Sequence, residues 1–169
     1  DSDHNIDGAR FFVTEVMPQL QQRYPELTLD IVGARPNAAA QALGNYPGVA
    51  VTGRVPSVVD YLHRAVVCVV PLRTGFGIKN KTLEAMAAGV PVVGSDRGLE
   101  GLRVDNPGTA LYALRANRPA DYVTAVSQLL ENPQLRQQIS QGGRSLVEST
   151  FTWEHAGKRY EQVLTQASP

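Results

Sequence analysis

The run AVVCVVPLRTGFGIKNKTLEAMAAGVPVVGSDRGLEGL, residues 65–102, contains the most informative unit of the chain. Its first part, 65–72, is apolar without alternation, as in a strand buried on both faces of a parallel sheet. A glycine-rich turn follows, then a predicted helix from Asn80 to Ala88 and a second strand over 90–95. A strand, a turn, a helix and a strand in this order predict a parallel pair joined by a right-handed crossover.

The same alternation continues on both sides of this unit. Helices are predicted over Asp7–Tyr24, Asn37–Leu43, from a Ser57 cap to Arg64, and over Pro119–Glu131, Pro133–Thr150 and Thr152–Gln166, and strands over 27–33, 48–53 and 109–114. The pattern predicts one α/β domain, residues 1–169, with a Rossmann-like parallel sheet that carries helices on both faces. Because the chain opens on a helix with no strand before it, we interpret it as a fragment of a longer protein.

Composition narrows the classes of partner. The 169 residues include 16 basic and 16 acidic side chains, so that net charge gives no case for binding nucleic acid. The single Cys68 cannot form an intrachain disulfide, and its apolar surroundings predict a core residue rather than a nucleophile. No apolar run is long enough to predict a membrane span. The three histidines show no metal-ligand spacing.

In doubly wound sheets, ligands bind beyond the carboxyl ends of the strands. Here those ends are Gly33–Arg35, Gly53–Val55, Pro71–Lys81 and Ser95–Leu102. In the third segment, Lys79 and Lys81 stand at a predicted helix N-terminus, where cations are disfavoured unless an anion lies between them. The glycines around Phe76 would let the backbone approach that anion. Solvated lysines beside an ordinary turn are the alternative.

Glu84, one turn into the same helix, offers a carboxylate that could accept both hydroxyls of a ribose. We expect Leu83, Met86 and Ala87 to face the core, which leaves Glu84 towards the loop. A favourable contact with the helix dipole is the plain alternative.

The segment GFGIKNKT nearly matches a phosphate-loop motif, but Asn80 replaces its second glycine, and the same residue breaks a dinucleotide GxGxxG pattern.

The run PLRTGFGIKNKTLEAMAAGVPVVGSDRGLEGL closely resembles the donor-binding half of group 1 retaining glycosyltransferases, which have the GT-B architecture of two facing Rossmann-like domains. Further matches are NIDGARFFVTEVMPQL, LDIVGARP, GVAVTGRVPSVVDYLHRAVVCVVPL and FTWEHAGKRYEQVL. The resemblance implies the C-terminal half of such an enzyme, lacking its first strand and the N-terminal acceptor domain. It also implies that 152–166 is a helix crossing back to that other domain.

The resemblance assigns roles to individual residues. It implies ribose binding by Glu84 and diphosphate binding by Lys79, Lys81, Arg35 and Gly77; Gly33 lies in the same strand-end loop as Arg35. Arg54 and Val55 would border the base, and Thr74, Gly75, Phe76 and Ile78 would form the loop at the transferred sugar. One feature departs from the family pattern. Thr74 stands before GFG where the commoner form has a glutamate, and ungapped counting back from Glu84 puts Phe76 at that glutamate's position.

The resemblance further implies transfer of a hexose from a UDP- or GDP-sugar to a saccharide or lipid acceptor, as in polysaccharide biosynthesis. It implies no metal and no cofactor besides the donor substrate. It assigns no catalytic residue to this segment, so that the fragment alone is expected to be inactive. We expect a cytoplasmic protein with peripheral association at the inner membrane face. A catalytically silent nucleotide-binding scaffold of the same fold and a phosphate-loop NTPase are the alternatives.

Overall fold

The apolar run at 65–72 forms strand β3, Cys68–Val70, in a computed structural model that describes residues 3–108 and 110–151. Strand β4, Val92–Gly94, pairs in parallel with β3 on one side and with β5, Leu114–Arg115, on the other. The predicted strands at 65–72 and 90–95 are thus present but shorter.

The predicted strand at 109–114 is wrong over most of its length, because pairing with β4 begins only at Leu114. The amide of Tyr112 donates instead to the carbonyl of Val104, at 3.0 Å. The backbone of this stretch is therefore engaged with a neighbouring loop before it reaches the sheet.

A second parallel pair is formed by β1, Leu29–Val32, and β2, Val49–Gly53. In the described residues the predicted parallel sheet is divided into one sheet of two strands and one of three. Side chains rather than a backbone ladder connect the two sheets, since Leu29 of β1 and Val69 of β3 pack against the same hydrophobic cluster.

The first helical segment comprises α1, Asp3–Phe11, a π-helical turn, Phe12–Val16, and α2, Met17–Arg23. It includes residues before the predicted start at Asp7. Pro18 lies inside this predicted helix, although proline lacks an N–H and clashes inside a regular helix. The π-helical turn accommodates the proline: the amide of Met17 bonds to the carbonyl of Phe12, and Pro18 falls in the first turn of α2.

The other helices are α3, Ala38–Ala42, continued by a 3₁₀ turn at Leu43–Asn45, then α4, Val58–Arg64, α5, Asn80–Ala87, α6, Pro119–Glu131, and α7, Pro133–Thr150. Prolines open α6 and α7 at the position where a missing N–H does no harm. Asn132 caps α7 by accepting from the amide of Leu135 at 3.0 Å. The predicted helix at Thr152–Gln166 lies outside the described residues.

Helices cover both faces of the three-stranded sheet, as predicted. Val93 of β4 belongs to a cluster with the first helical segment and α6, whereas its neighbour Val92 belongs to a cluster with α5. Successive strand residues point to opposite faces, so the two clusters lie on opposite sides. Tyr122 of α6 packs edge-on against both Phe11 and Phe12, at centroid distances of 5.9 and 5.7 Å.

Candidate functional site

The loop from Pro71 to Lys79, here called the β3 loop, leaves the carboxyl end of β3 and leads into α5. The start of α1 fixes its first half. Arg73 donates to both carboxylate oxygens of Asp7, at 2.9 and 2.5 Å, and Thr74 shares a 2.5 Å hydrogen bond with His4. These contacts place the predicted donor-sugar residue Thr74 beside α1.

The second half of the β3 loop leaves its backbone available to a ligand. Gly75 and Gly77 have φ values of +96° and +79°, which side-chain-bearing residues rarely adopt. The amides of Ile78, Asn80 and Lys81 donate no backbone hydrogen bond within residues 3–108 and 110–151. Asn80 and Lys81 are unsatisfied donors in the first turn of α5, and Ile78 lies just before that turn, where the helix dipole also favours an anion.

Lys79 lies at this helix end, as the sequence predicted. Its ammonium donates to the carbonyl of Gly77 at 2.5 Å and lies 3.7 Å from a carboxylate oxygen of Glu100. Only 13% of its side chain is exposed. The cation is therefore held against the loop rather than extended into solvent.

Lys81 points towards α1 rather than towards Lys79. Its ammonium donates to the side-chain oxygen of Asn5. The residue as a whole is exposed, yet partial desolvation of the ammonium lowers the pKa of Lys81 from its ordinary value. The predicted pair of lysines thus shares one helix end, while the structure directs their charges to different neighbours.

Glu84 is exposed, and its carboxylate accepts no hydrogen bond within the part of the chain that the structure describes. The buried face of α5 consists of Thr82, Ala85 and Met86, so the expectation for Ala87 is wrong: Ala87 is exposed. The prediction that Glu84 avoids the core is confirmed, and its carboxylate is free to meet a ligand.

Arg35 and Arg54 lie beyond the ends of the other two predicted strands. Arg35 follows β1 and Arg54 follows β2, at the shared carboxyl edge of that parallel pair. Both guanidinium groups are exposed, and within the described ranges neither makes a hydrogen bond or an ion pair. Val55 is half-buried. No hydrogen bond or ion pair among these residues links them to Lys79, so their common role stays a prediction.

The loop from Ser95 to Leu102, here called the β4 loop, supplies side chains that sequence reasoning missed. Arg97 donates to Glu100 at 3.0 Å, and its guanidinium lies 5.0 Å from the centroid of the Phe76 ring. Phe76 itself is 85% exposed. The sequence carries a signal for them, because the segment follows a predicted strand and contains Asp96, Arg97 and Glu100 beside two glycines.

Several alternatives receive no support from the geometry. No group of His, Cys, Asp and Glu side chains among the described residues could hold a metal ion. Burial raises the pKa of the Cys68 thiol to about 11, which fits a packed residue better than a nucleophile. Two open surface hollows, one beside Tyr112 and one beside Leu135, share no residue with either loop. Among the helices described, none is long and apolar enough to cross a bilayer.

Comparison with known proteins identifies the family to which the chain belongs. A family model described as "Glycosyl transferases group 1" matches residues 2–132. A putative glycosyltransferase, YtcC, of Bacillus subtilis (strain 168) is 35% identical over 86 residues, which cover 48% of this chain and 21% of that protein. The GDP-mannose-dependent alpha-(1-6)-phosphatidylinositol monomannoside mannosyltransferase of Mycolicibacterium smegmatis is 30% identical over 166 residues, or 88% of this chain and 42% of that protein.

Solved structures support the same fold. Sucrose-phosphate synthase from Thermosynechococcus elongatus superposes with a TM-score of 0.70 at 23% identity, over 95% of this chain and 43% of that one. The C-terminal domain of a group 1 glycosyl transferase, LpcC, from Francisella tularensis gives a TM-score of 0.64 at 17% identity, over 90% of this chain and 83% of that one. The chain therefore spans less than half of both curated relatives and most of an isolated C-terminal domain.

Proposed function

We propose, on the premise that the chain belongs to the group 1 glycosyltransferases as a C-terminal domain of the GT-B architecture, that it binds the nucleotide-sugar donor. The observation that carries the proposal is the start of α5. There the Lys79 ammonium is held against the loop, and the amides of Ile78, Asn80 and Lys81 donate no backbone hydrogen bond within the described residues, at the end of a helix that favours anions. A nucleoside diphosphate fits this arrangement, with Glu84 at the ribose one turn further along.

The donor is a UDP- or GDP-linked hexose in this proposal. The relative from M. smegmatis is by its name a GDP-mannose-dependent mannosyltransferase, which supports a hexose on a nucleotide. Arg54 and Val55 at the end of β2 border the base, and Arg35 at the end of β1 contacts the diphosphate. The glycine-rich part of the β3 loop receives the sugar.

Transfer requires the sugar–diphosphate bond to break, with negative charge growing on the departing diphosphate. Lys79 and the amides at the α5 N-terminus meet that charge with donors that are already in place. This preorganised field needs no metal ion. The acceptor, a saccharide or lipid, would come from a second domain, and the proposed outcome at the sugar carbon is retention.

A silent nucleotide-binding scaffold is the second candidate, and one observation favours it. The family's first glutamate is absent, and the residue at its place, Phe76, is an exposed aromatic side chain that carries no charge. Release of UDP or GDP from a sugar donor by the intact protein would exclude this candidate. The phosphate-loop alternative receives no such support, because the chain belongs to a glycosyltransferase family.

A thermal-shift panel on the intact protein tests the proposal. UDP, GDP, ADP and magnesium–ATP are compared, the first three in EDTA. A ligand at one hundred times its Kd adds about 2.7 kcal/mol to folding stability, so UDP or GDP in EDTA should raise the melting temperature by several degrees. A rise in melting temperature with magnesium–ATP alone would contradict donor binding. The absence of a rise with every nucleotide would contradict it as well.

A further inference from the structure

Glu100 in the β4 loop has an unusual environment for a carboxylate near a surface. Its Oε1 accepts from Arg97 at 3.0 Å. Its Oε2 is enclosed and has no hydrogen-bond partner within the described residues, while the ammonium of Lys79 lies 3.7 Å away. One carboxylate thus stands between two cations, one from each loop.

The two loops also meet at other points. Arg97 covers the ring of Phe76, and a Cβ built on Gly101 would lie 2.7 Å from Cγ1 of Ile78. Buried Thr82 of α5 donates to the carbonyl of Gly98 at 2.8 Å. The β4 loop therefore contacts the β3 loop at Phe76, Ile78 and Lys79, with Glu100 as the charged contact between them.

We propose that Glu100 is a positioning residue for the donor diphosphate, acting through Lys79 and Arg97. The inference rests on the proposed function of this site. A lysine side chain has many conformers, and ordering it costs free energy that a bound phosphate must otherwise supply. Glu100 restricts Lys79 in advance, so that the ammonium already lies at the α5 N-terminus when the diphosphate arrives. The β3 loop itself, with Thr74 and Phe76, supplies no carboxylate for this purpose.

The direction in which Glu100→Gln changes diphosphate affinity separates this role from simple proximity. A carboxylate that merely lies near the site repels the diphosphate, so Glu100→Gln would tighten binding. A carboxylate that positions Lys79 and Arg97 has the opposite effect, and Glu100→Gln would weaken it. Glutamine keeps the shape and one acceptor oxygen, so the substitution removes the charge with little change in packing.

Calorimetry on the intact protein with UDP, GDP, UMP and GMP measures the effect. Glu100→Gln should weaken binding of the preferred diphosphate by roughly tenfold, the upper scale for the cost of ordering one long side chain on binding, and binding of the monophosphate much less. In a Lys79→Met background the same substitution should change diphosphate affinity by less than about twofold, because its main route of action is gone. Glu148→Gln is the matched control, since Glu148 pairs with Arg144 at 2.8 Å on α7.

Tighter or unchanged diphosphate binding in Glu100→Gln, or full additivity with Lys79→Met, would overturn the inference while leaving the proposed function intact. A wild-type protein that binds neither diphosphate would overturn both. Arg97→Gln gives a second measurement should Glu100→Gln fail to fold. It removes the other cation and should weaken diphosphate binding in the same direction, and unchanged affinity there would also count against Glu100.

Discussion

Lys79 is the residue on which diphosphate binding depends most directly in this account. Its ammonium lies at the N-terminus of α5, close to Gly77 and Glu100. A cation at this helix end is unfavourable by a few tenths of a kcal/mol unless an anion compensates it. Glu100 supplies one such anion in the structure, and in this account the bound diphosphate supplies a second.

Lys79→Met should reduce affinity for UDP or GDP by about ten- to a hundredfold, because a hydrogen bond to a charged group is worth about 1.5–3 kcal/mol. Affinity for the corresponding nucleoside should change little, since it carries no phosphate. Calorimetry at two salt concentrations measures both effects. Arg144→Met on α7 is the control for loss of one positive charge, and an equal loss of nucleoside binding in Lys79→Met would argue against a phosphate contact.

Thr82 serves packing rather than binding. It is fully buried, and its hydroxyl joins α5 to the β4 loop through the carbonyl of Gly98. Thr82→Val should lower the free energy of unfolding by about 1–2 kcal/mol, because the buried carbonyl loses its donor. Thr14→Val is the control, since Thr14 is exposed and bonds within its own helical segment. Urea unfolding measures both, and equal stabilities would show that the Gly98 contact is unimportant.

At the scale of single residues, the sequence identified candidate ligand residues, but it did not identify their contacts within the protein. Lys79 and Glu84 could be identified because each charge stands out in a segment rich in glycine and alanine. The partners of Lys81 and Lys79 could not, because Asn5 and Glu100 lie 76 and 21 positions away in the chain, respectively, and local spacing does not report such contacts.

Among the elements, α1 and the β3 loop approach each other closely at the site. A Cβ on Gly8 would lie 2.7 Å from the carbonyl oxygen of Pro71, so that only glycine lets helix and loop backbones meet here. Asp7 and His4 then bond to the loop from the same turn of α1. The helix thus supports the first half of the β3 loop.

Gly8→Ala should destabilise the protein by about 1–3 kcal/mol, although alanine is the better helix former, because the clash involves backbone that cannot rotate away. Nucleotide affinity should fall with it as the loop shifts. Gly44→Ala is the control, since its Cβ would meet Val51 at an ordinary 3.6 Å. Thermal unfolding and calorimetry measure both properties, and a Gly8→Ala protein of undiminished stability would contradict this packing.

The prediction of helices and strands succeeded where local sequence signals were strong. It failed where contacts with distant residues decide the backbone hydrogen bonds. The bounds of α6 and α7 were predicted correctly, because proline and asparagine mark their starts. The strand at 109–114 failed because an apolar run of this length does not reveal that Tyr112 bonds to the Val104 loop. The early part of the first helix was missed, since residues 3–6 are mostly polar.

For the molecule as a whole, the alternation of strands and helices in the sequence was enough to predict the α/β architecture with two helical layers. A single sheet did not form among the described residues. The first strand that the resemblance implies stays a prediction. The same holds for the acceptor domain.

The stability of the whole molecule should depend on pH through the carboxyl group of Asp105. Arg115 donates to both oxygens of Asp105, at 2.7 and 3.0 Å, and to Asp96 at 2.9 Å. Its hydrogen bonds hold the pKa of Asp105 below the ordinary value of 3.8. A carboxylate with a lowered folded-state pKa contributes stability above its unfolded value and loses it as the pH falls through the folded one.

Asp105→Asn should therefore lower the melting temperature at pH 7, and the difference from wild type should shrink as the pH falls below about 3.8. Because the pair is partly exposed, the contribution is at most about 1 kcal/mol. Asp30→Asn, at an exposed position of β1, is the control. A difference that stays constant from pH 7 to pH 2.5 would show that the charge of Asp105 is irrelevant.

The central claim is that the α5 N-terminus binds a nucleoside diphosphate with Glu84 at its ribose, and calorimetry of Glu84→Ala with UDP and GDP tests it most directly. Glu84 is exposed and makes no hydrogen bond or ion pair within the described residues, so its removal should leave the fold unchanged. We predict a ten- to a hundredfold loss of affinity, from about 1.5–3 kcal/mol of hydrogen bonding, while Glu26→Ala at another exposed glutamate has no effect. Equal affinities for wild type and Glu84→Ala would contradict the account.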